Sequence, residues 1–519
     1  TALVIPDYSE FATWWYLKVA LCLDLPVNLP RKPSYPMSLP MSPRRLLTTL
    51  LLGGLSLTIN SVGAAEEPVR TWSVVETAKD TGHRLSAVTA PSKTAAPAPS
   101  AIVCHPSKSF QEIVGFGGAL SESSAWVLAQ LPPDERMEIL RRYYDPKEGI
   151  GYTLARTHLN SCDFSLSMWS LTPTPGDYDL HDFTLEPMRR WMMPLIHDAR
   201  KVAGPDRFKL MASPWSPPAW MKNNNRMDDG GSLRWEYRPA WAGVYVKFVQ
   251  AMAKEEGIPI WALSVQNEPG AHQRWESCTY TPEHEAEFIR DFLGPALHAA
   301  GLEDVKLLGH DHNRDSIEKF AEAELGDPAT AKYLWGLGLH WYMTDDYAAS
   351  SRVHEKFPDK HILFTEGCVE GAPECIGKWE NGERYARNII GDFSNWVCGF
   401  IDWNIVLDQR GGPNHVGNFC DAPVIVDTNT KEVTYGPSFY YLAHFSKFVQ
   451  PGARRIHSEG GPPGIQSIAF RNPDGTLAVV VFNPTEQPAE FALGVAGEAN
   501  LTCQIPARGI QTYFESPQS

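Results

Sequence analysis

The sequence predicts an α/β protein: a (β/α)8 barrel with a side β-sandwich built from both chain ends. Three observations predict it. Eight short strand-like runs alternate with longer stretches whose apolar residues recur every three or four positions, all between residues 113 and 403. The texture on either side of this region is strand and turn with no helical periodicity. Two of the apolar runs, Leu263-Ser264-Val265-Gln266 and His361-Ile362-Leu363-Phe364-Thr365, close on a carboxylate followed by a helix breaker, Glu268-Pro269 and Glu366-Gly367. A barrel of parallel strands keeps its chemistry at strand ends that face one way.

In chain order, Met41-Ser42-Pro43-Arg44-Arg45 precedes an apolar stretch at 46–59 and the small-residue exit Ser61-Val62-Gly63-Ala64-Ala65. A positive start, a short apolar run and small residues together make an export signal with cleavage expected near Ala64. The run is too short to span a bilayer comfortably; a retained membrane-associating tail is the alternative. Residues 1–64 are accordingly set apart as an upstream extension and signal peptide. Residues 65–110 are polar with a strand-like segment at 70–75 and are assigned to the sandwich. The strand runs then fall at 113–116, 152–156, 208–212, 260–266, 305–309, 336–340, 361–365 and 399–403, within a barrel domain placed at 111–447. Helical spacing appears between them at 136–144, 241–256, 282–300, 316–325 and 384–396. Beyond it, 448–519 reads as the rest of the sandwich: 465–470 and 477–482 form a hairpin about the turn Asn472-Pro473-Asp474-Gly475, and 490–495 and 509–514 add strands. The head alone has too few strands to bury a face, so both ends are expected to share one sandwich.

Composition narrows the partners. A formal charge of −15 argues against nucleic acid or an anionic membrane surface, both of which call for basic patches, and no stable membrane insertion is expected. The 17 Trp serve either as core filling or as flat platforms for sugar rings. Nine Cys without a CxxC pair suggest neither a disulfide scaffold nor zinc, and leave one or two disulfides open. His310-Asp311-His312 raises a metal hypothesis but lacks a third clear ligand, so no metal or other cofactor is expected. Gly115-Phe116-Gly117-Gly118 lacks the spacing of a phosphate loop and reads as a tight turn.

The two strand-end acids are 366 − 268 = 98 positions apart, so only a closed or strongly curved sheet brings them together. If they converge, a pair of carboxyl groups across one bond is the minimal machinery for glycoside hydrolysis. Asn267 is placed to donate to a sugar hydroxyl, Arg156 to hold a carboxylate ionised and Tyr342 to hydrogen-bond the nucleophile. His340 offers a ring donor, and Trp215 and Trp403 offer flat walls.

The stretches Gly115-Phe116-Gly117-Gly118-Ala119, Ser161-Cys162-Asp163-Phe164-Ser165, Ser213-Pro214-Trp215-Ser216-Pro217-Pro218, Asn267-Glu268-Pro269, His340-Trp341-Tyr342, Thr365-Glu366-Gly367-Cys368, Asp402-Trp403-Asn404 and Gly411-Gly412-Pro413-Asn414 occur in order. On these residues the chain resembles glycoside hydrolase family 30, and most closely its glucosylceramidase branch. The resemblance implies a retaining double displacement with Glu366 as nucleophile and Glu268 as acid/base. It also implies a first sugar subsite lined by Arg156, Trp215, Asn267, Tyr342, Trp403 and Asn418. Glu122 stands where that branch has an Asp gripping the far-side sugar hydroxyls. The expected substrate is a β-glucoside, glycolipid or β-glucan. Within the family an endo-β-1,6-glucanase, β-xylosidase or β-fucosidase is the alternative, and outside it a carbohydrate-binding protein on a retired hydrolase scaffold.

Overall fold

The computed structural model describes residues 70–94, 100–498 and 500–515; the expected export signal and the residues before it lie outside them. Eight strands close a parallel barrel: β1 (Gly115–Ala119), β2 (Leu154–Leu159), β3 (Lys209–Pro214), β4 (Ile260–Ser264), β5 (Lys306–Asn313), β6 (Gly336–His340), β7 (His361–Glu366) and β8 (Val397–Asn404). The ladder between β8 and β1 completes the ring. Each of the eight apolar runs falls on one of these strands. Leu154, Met211, Ala262, Leu308, Leu363 and Ile401, one from each of six strands, form a buried cluster that plugs the interior. Helices cover the outside; Trp379–Ser394 turns Tyr385, Ile389 and Phe393, spaced four apart, onto the barrel.

The glycine-rich stretch at 115–118 is not a tight turn. It is β1 itself, because a Cβ at Gly117 would overlap the Leu154 carbonyl oxygen of β2, and only glycine admits that approach. β4 ends two residues before its predicted limit, and β5 runs four residues past its own.

The sandwich strands belong to one ten-stranded hydrogen-bonded sheet that interleaves both chain ends. Trp72–Ala78 pairs antiparallel with Gly509–Glu515 along its whole length. Ala101–Glu112 lies between Arg454–Gly460 and Ala489–Val495. Val74, Ile102, Val479, Leu493 and Tyr513 share its buried core, so head and tail supply one hydrophobic cluster. The join to the barrel is polar as well as apolar. Buried His444 on helix Pro437–Ser446 bridges Thr77 Oγ1 (3.0 Å) and Thr512 Oγ1 (2.9 Å), and Arg508 pairs with Glu383 on helix Trp379–Ser394. All eight described cysteines are buried and free, so neither disulfide that the sequence left open forms among them.

Candidate active site

A cavity of about 540 Å³ opens at the C-terminal ends of the barrel strands, within the size range of small-molecule sites. Glu268 and Glu366 both line it, with Asn267, Trp215, Trp403, Tyr342, Asn418 and Asp163. Glu366 is the last residue of β7. Glu268 lies four residues past β4 in left-handed backbone (φ 50°), its N–H donating to the Asp311 carbonyl at 3.0 Å. A non-glycine residue held in that region stores strain, a cost found disproportionately at functional sites.

Each acid has its own set of partners. Arg156, at the centre of β2, donates from Nη1 to Glu366 Oε2 (2.5 Å), and Tyr342 donates its hydroxyl to Glu366 Oε1 (2.9 Å). The other guanidinium nitrogens reach Ser213 Oγ (3.0 Å), Asn267 Oδ1 (2.8 Å) and Asp311 Oδ2 (2.9 Å). Since Oδ1 of Asn267 is taken, its amide NH2 is left for the cavity. Trp215 and Trp403 stack on each other with centroids 5.1 Å apart, and Arg156 lies 4.9 Å and 5.7 Å from their rings. Glu268 Oε1 faces His340 Nδ1 at 3.3 Å and His312 Nδ1 at 3.8 Å. Among the described residues no side chain donates to its other oxygen.

Beneath the acids sits Asp311, fully buried and the hub of the charge network. It accepts from Arg156, from His340 Nε2 (3.1 Å), and from Ser264 and Thr365 hydroxyls (2.5 Å each). Burial opposes its charge, but Arg156 and His340 outweigh burial and hold the carboxyl far below the ordinary aspartate value. Burial would likewise lower His340; the charge of Glu366 and the bonds to Asp311 and Glu268 instead lift it to about 9, so the ring is charged at neutral pH. Burial pushes Glu366 up, only partly offset by His340 and Arg156. For Glu268 burial is overcome by the His340 hydrogen bond and the charges of His312 and His340, and its carboxyl falls below the usual glutamate value.

The expected site residues divide into three groups. Glu268, Glu366, Asn267, Trp215, Tyr342, Trp403 and Asn418 meet on one cavity wall. Arg156 and His340 sit one layer below the wall, and each holds an acid: Arg156 pairs with Glu366, as the residues suggested, and His340 faces Glu268. Glu122 is also off the wall. It begins helix Glu122–Ala129, and its Oε2 accepts from the Trp169 indole at 2.8 Å, so its longer side chain is spent on a neighbour. The carboxylate that does face the cavity nearby is Asp163, its Oδ2 held by Asn414 (3.1 Å) and Asn418 (3.0 Å), and raised to about 7 by burial. His310 is turned from the cavity toward the Gly338 carbonyl and Ser316, so the histidine-rich triplet does not act as a unit. Sequence reasoning missed the pairing role of Asp311. Successive left-handed residues, His310 (φ 61°) and Asp311 (φ 47°), break the β5 ladder and re-aim the side chains that follow.

A closed parallel barrel carrying two glutamates on one cavity at its strand ends is the architecture of a glycoside hydrolase. Comparison with known proteins gives the family. Residues 113–449 match the glycosyl hydrolase family 30 TIM-barrel domain and 452–513 its beta sandwich domain, and the chain belongs to that family. It is 36% identical over 433 residues to the lysosomal acid glucosylceramidase of Mus musculus, covering 80% of this chain and 83% of the relative. It is 27% identical to the endo-1,6-beta-D-glucanase neg1 of Aspergillus fumigatus, over 78% of this chain and 85% of that one. Among solved structures, SrfJ from Salmonella typhimurium superposes with a TM-score of 0.82 at 32% identity, covering 86% of this chain and all of that one. The endo-beta1,6-glucanase BT3312 gives 0.78 at 28%, covering 86% and 99%.

Proposed function

We propose that the chain is an exported retaining β-glycosidase that hydrolyses β-glucosyl linkages. The observation that carries this reading is the sharing of one cavity by Glu268 and Glu366 with different partners. Glu366 accepts an ionic and a phenolic donor, one on each oxygen, so a proton placed there displaces a donor; this fits the nucleophile. Glu268 has an oxygen without a protein donor and shares the other with charged His340, which fits the acid/base. Charged His340 faces Glu268 Oε1 at 3.3 Å, and a proton passed along that bond to Glu268 is the one the leaving oxygen needs.

In the first step Glu268 protonates the glycosidic oxygen while Glu366 attacks the anomeric carbon, and the aglycone leaves. In the second, Glu268 takes a proton from water, which displaces Glu366 and frees the sugar with its configuration retained. The Asn267 NH2 is placed to donate to the hydroxyl beside the reacting carbon. Trp215 and Trp403 supply apolar walls for the ring faces.

Two aglycones are supported. The higher identity to a glucosylceramidase favours a glucosyl lipid, as does Met343, a 69% exposed apolar side chain that lines the same cavity. The likeness to two endo-1,6-glucanases supports a β-1,6-glucan. A panel of aryl β-glucosides, xylosides and fucosides, glucosylceramide and β-1,6-glucan, with the product anomer followed by NMR, separates them. Glu366→Gln is expected to abolish turnover. Glu268→Ala is expected to spare substrates with good leaving groups and to gain rate from added azide. Full activity of both variants, or an inverted first product, refutes the mechanism. Export is tested by N-terminal sequencing of the secreted protein, with cleavage near Ala64 expected.

A further inference from the structure

The broken end of β5 brings His312 beside Glu268, where the hydrolytic scheme gives it no part. His312 Nδ1 and His340 Nδ1 lie 3.8 Å and 3.3 Å from Glu268 Oε1, and one ligand atom from each of the three residues falls within 4.8 Å of the others. A tetrahedral zinc ion with bonds of about 2.0–2.2 Å sets its ligand atoms about 3.4 Å apart. The Glu268–His340 edge already has that length; the other two edges, 3.8 Å to Glu268 and within 4.8 Å between the imidazoles, close if the His312 ring shifts and gives up its 3.4 Å contact with the Asn313 amide. We propose that Glu268, His312 and His340 form a reversible site for a divalent cation of the zinc class, and that an occupied site blocks hydrolysis. The second half of this rests on Glu268 being the acid/base; the first half does not.

Two further observations show a built site. His340 Nε2 is tied to the Asp311 carboxylate at 3.1 Å, which fixes the ring with Nδ1 outward, the carboxylate–histidine arrangement that orients metal-binding imidazoles. The His312 ring is seated over Gly270, where a Cβ would lie 3.1 Å from it. His312, Glu268 and Gly270 all line the cavity, which leaves a coordination position open to water. Two imidazoles and one carboxylate suit zinc better than calcium or magnesium, which prefer oxygen, or copper(I), which prefers sulfur. A cation on Glu268 Oε1 occupies the place of the proton shared with His340, so metal and acid catalysis exclude each other.

His105, His457 and Glu459, outside the cavity, also bring three ligand atoms together, so the test must separate the two places. Chelator-treated full-length protein is titrated with ZnCl2 by calorimetry, with CoCl2 absorption reporting coordination. Hydrolysis of an aryl β-glucoside is measured with and without ZnCl2, each variant against its own uninhibited rate. One cation per chain is expected to be retained in His457→Ala and lost in His312→Ala, where zinc inhibition weakens by about ten-fold or more. Zinc bound equally by His312→Ala, or no binding by the parent protein, overturns the proposal. Binding lost in His312→Ala by a chain that hydrolyses no glycoside supports the site and refutes only the functional reading above.

Discussion

Replacing Asp311 by Asn preserves its size and removes the charge beneath both acids. In the parent protein Asp311 is paired with Arg156 at 2.9 Å and with His340 at 3.1 Å, all three fully buried. Removing one partner of a buried ion pair costs about 3–5 kcal/mol, because the other charge stays behind uncompensated. The effect on His340 is separable by pH. Its pKa rises from 6.5 to about 9 on folding, through the charge of Glu366 and the bonds to Asp311 and Glu268, and D311N removes one of these. For a group whose pKa is raised on folding, the stabilising contribution is complete below pH 6.5 and is lost as pH climbs through 9. Asp311 itself is lowered on folding, so its contribution is present at every pH above the ordinary aspartate value. D311N is therefore expected to be less stable throughout pH 5–9, with a shallower loss between 6.5 and 9 and a His340 that titrates lower. Urea unfolding followed by tryptophan fluorescence at pH 6 and 9, with histidine NMR titration, measures both. A D311N protein within about 1 kcal/mol of the parent at pH 6, or with His340 still titrating near 9, refutes the reasoning.

Glu324, fully buried beside Glu285, is raised by burial to about 8, so the folded state keeps a proton that the unfolded chain gives up near 4.5. That contribution is full below 4.5 and lost as pH rises toward 8; Glu324→Gln is expected to flatten this slope and raise Tm at pH 7.5 more than at pH 5. Thermal shift at the two pH values checks it, and an equal fall at both contradicts it. Gly117→Ala drives a methyl into the Leu154 carbonyl at the β1–β2 ladder and is expected to cost about 1–3 kcal/mol or prevent soluble expression. Unchanged Tm would show that the ladder yields. Asp163→Asn removes a buried carboxyl poised near 7 on the cavity wall and is expected to move the pH profile of kcat/KM between 6 and 8. An unchanged profile would place Asp163 outside the titration that governs turnover.

The barrel was legible because each strand is short, apolar and buried on both faces, while its following helix repeats at 3.6 residues; the two periods are distinguishable in the text of the chain. The acids were legible for a related reason: a carboxylate directly after a buried run has to sit at a strand end. What lay beyond reading was side-chain direction. Asp311 looks like one more polar residue after a strand, and nothing in Gly309-His310-Asp311-His312 announces two successive left-handed residues. Glu122 comes just after the end of β1, yet the Trp169 indole, 47 positions on, takes its carboxylate. The stretch at 115–118 has the composition of a turn, and only the nearness of Leu154 explains why it is a strand. The participation of both chain ends in one sandwich followed from strand economy, whereas the order of its ten strands depends on long-range pairing that no local pattern encodes.

The pairing of Trp72–Ala78 with Gly509–Glu515 has a consequence for biosynthesis. On a ribosome adding roughly 5–20 residues per second, the leading strand waits on the order of half a minute to a minute and a half for its mate. The wheel of strands from Gly115 to Asn404 is fully synthesised well before then. Through that interval one edge of segment 72–78 lacks its mate, and segment 101–112 waits for the earlier-made Arg454–Gly460; both are exposed to chaperones and to other nascent chains. A premature stop between Cys420 and Gly509 leaves a polypeptide that holds every residue of the cavity but lacks the closing seam. Such fragments are candidates for quality-control capture.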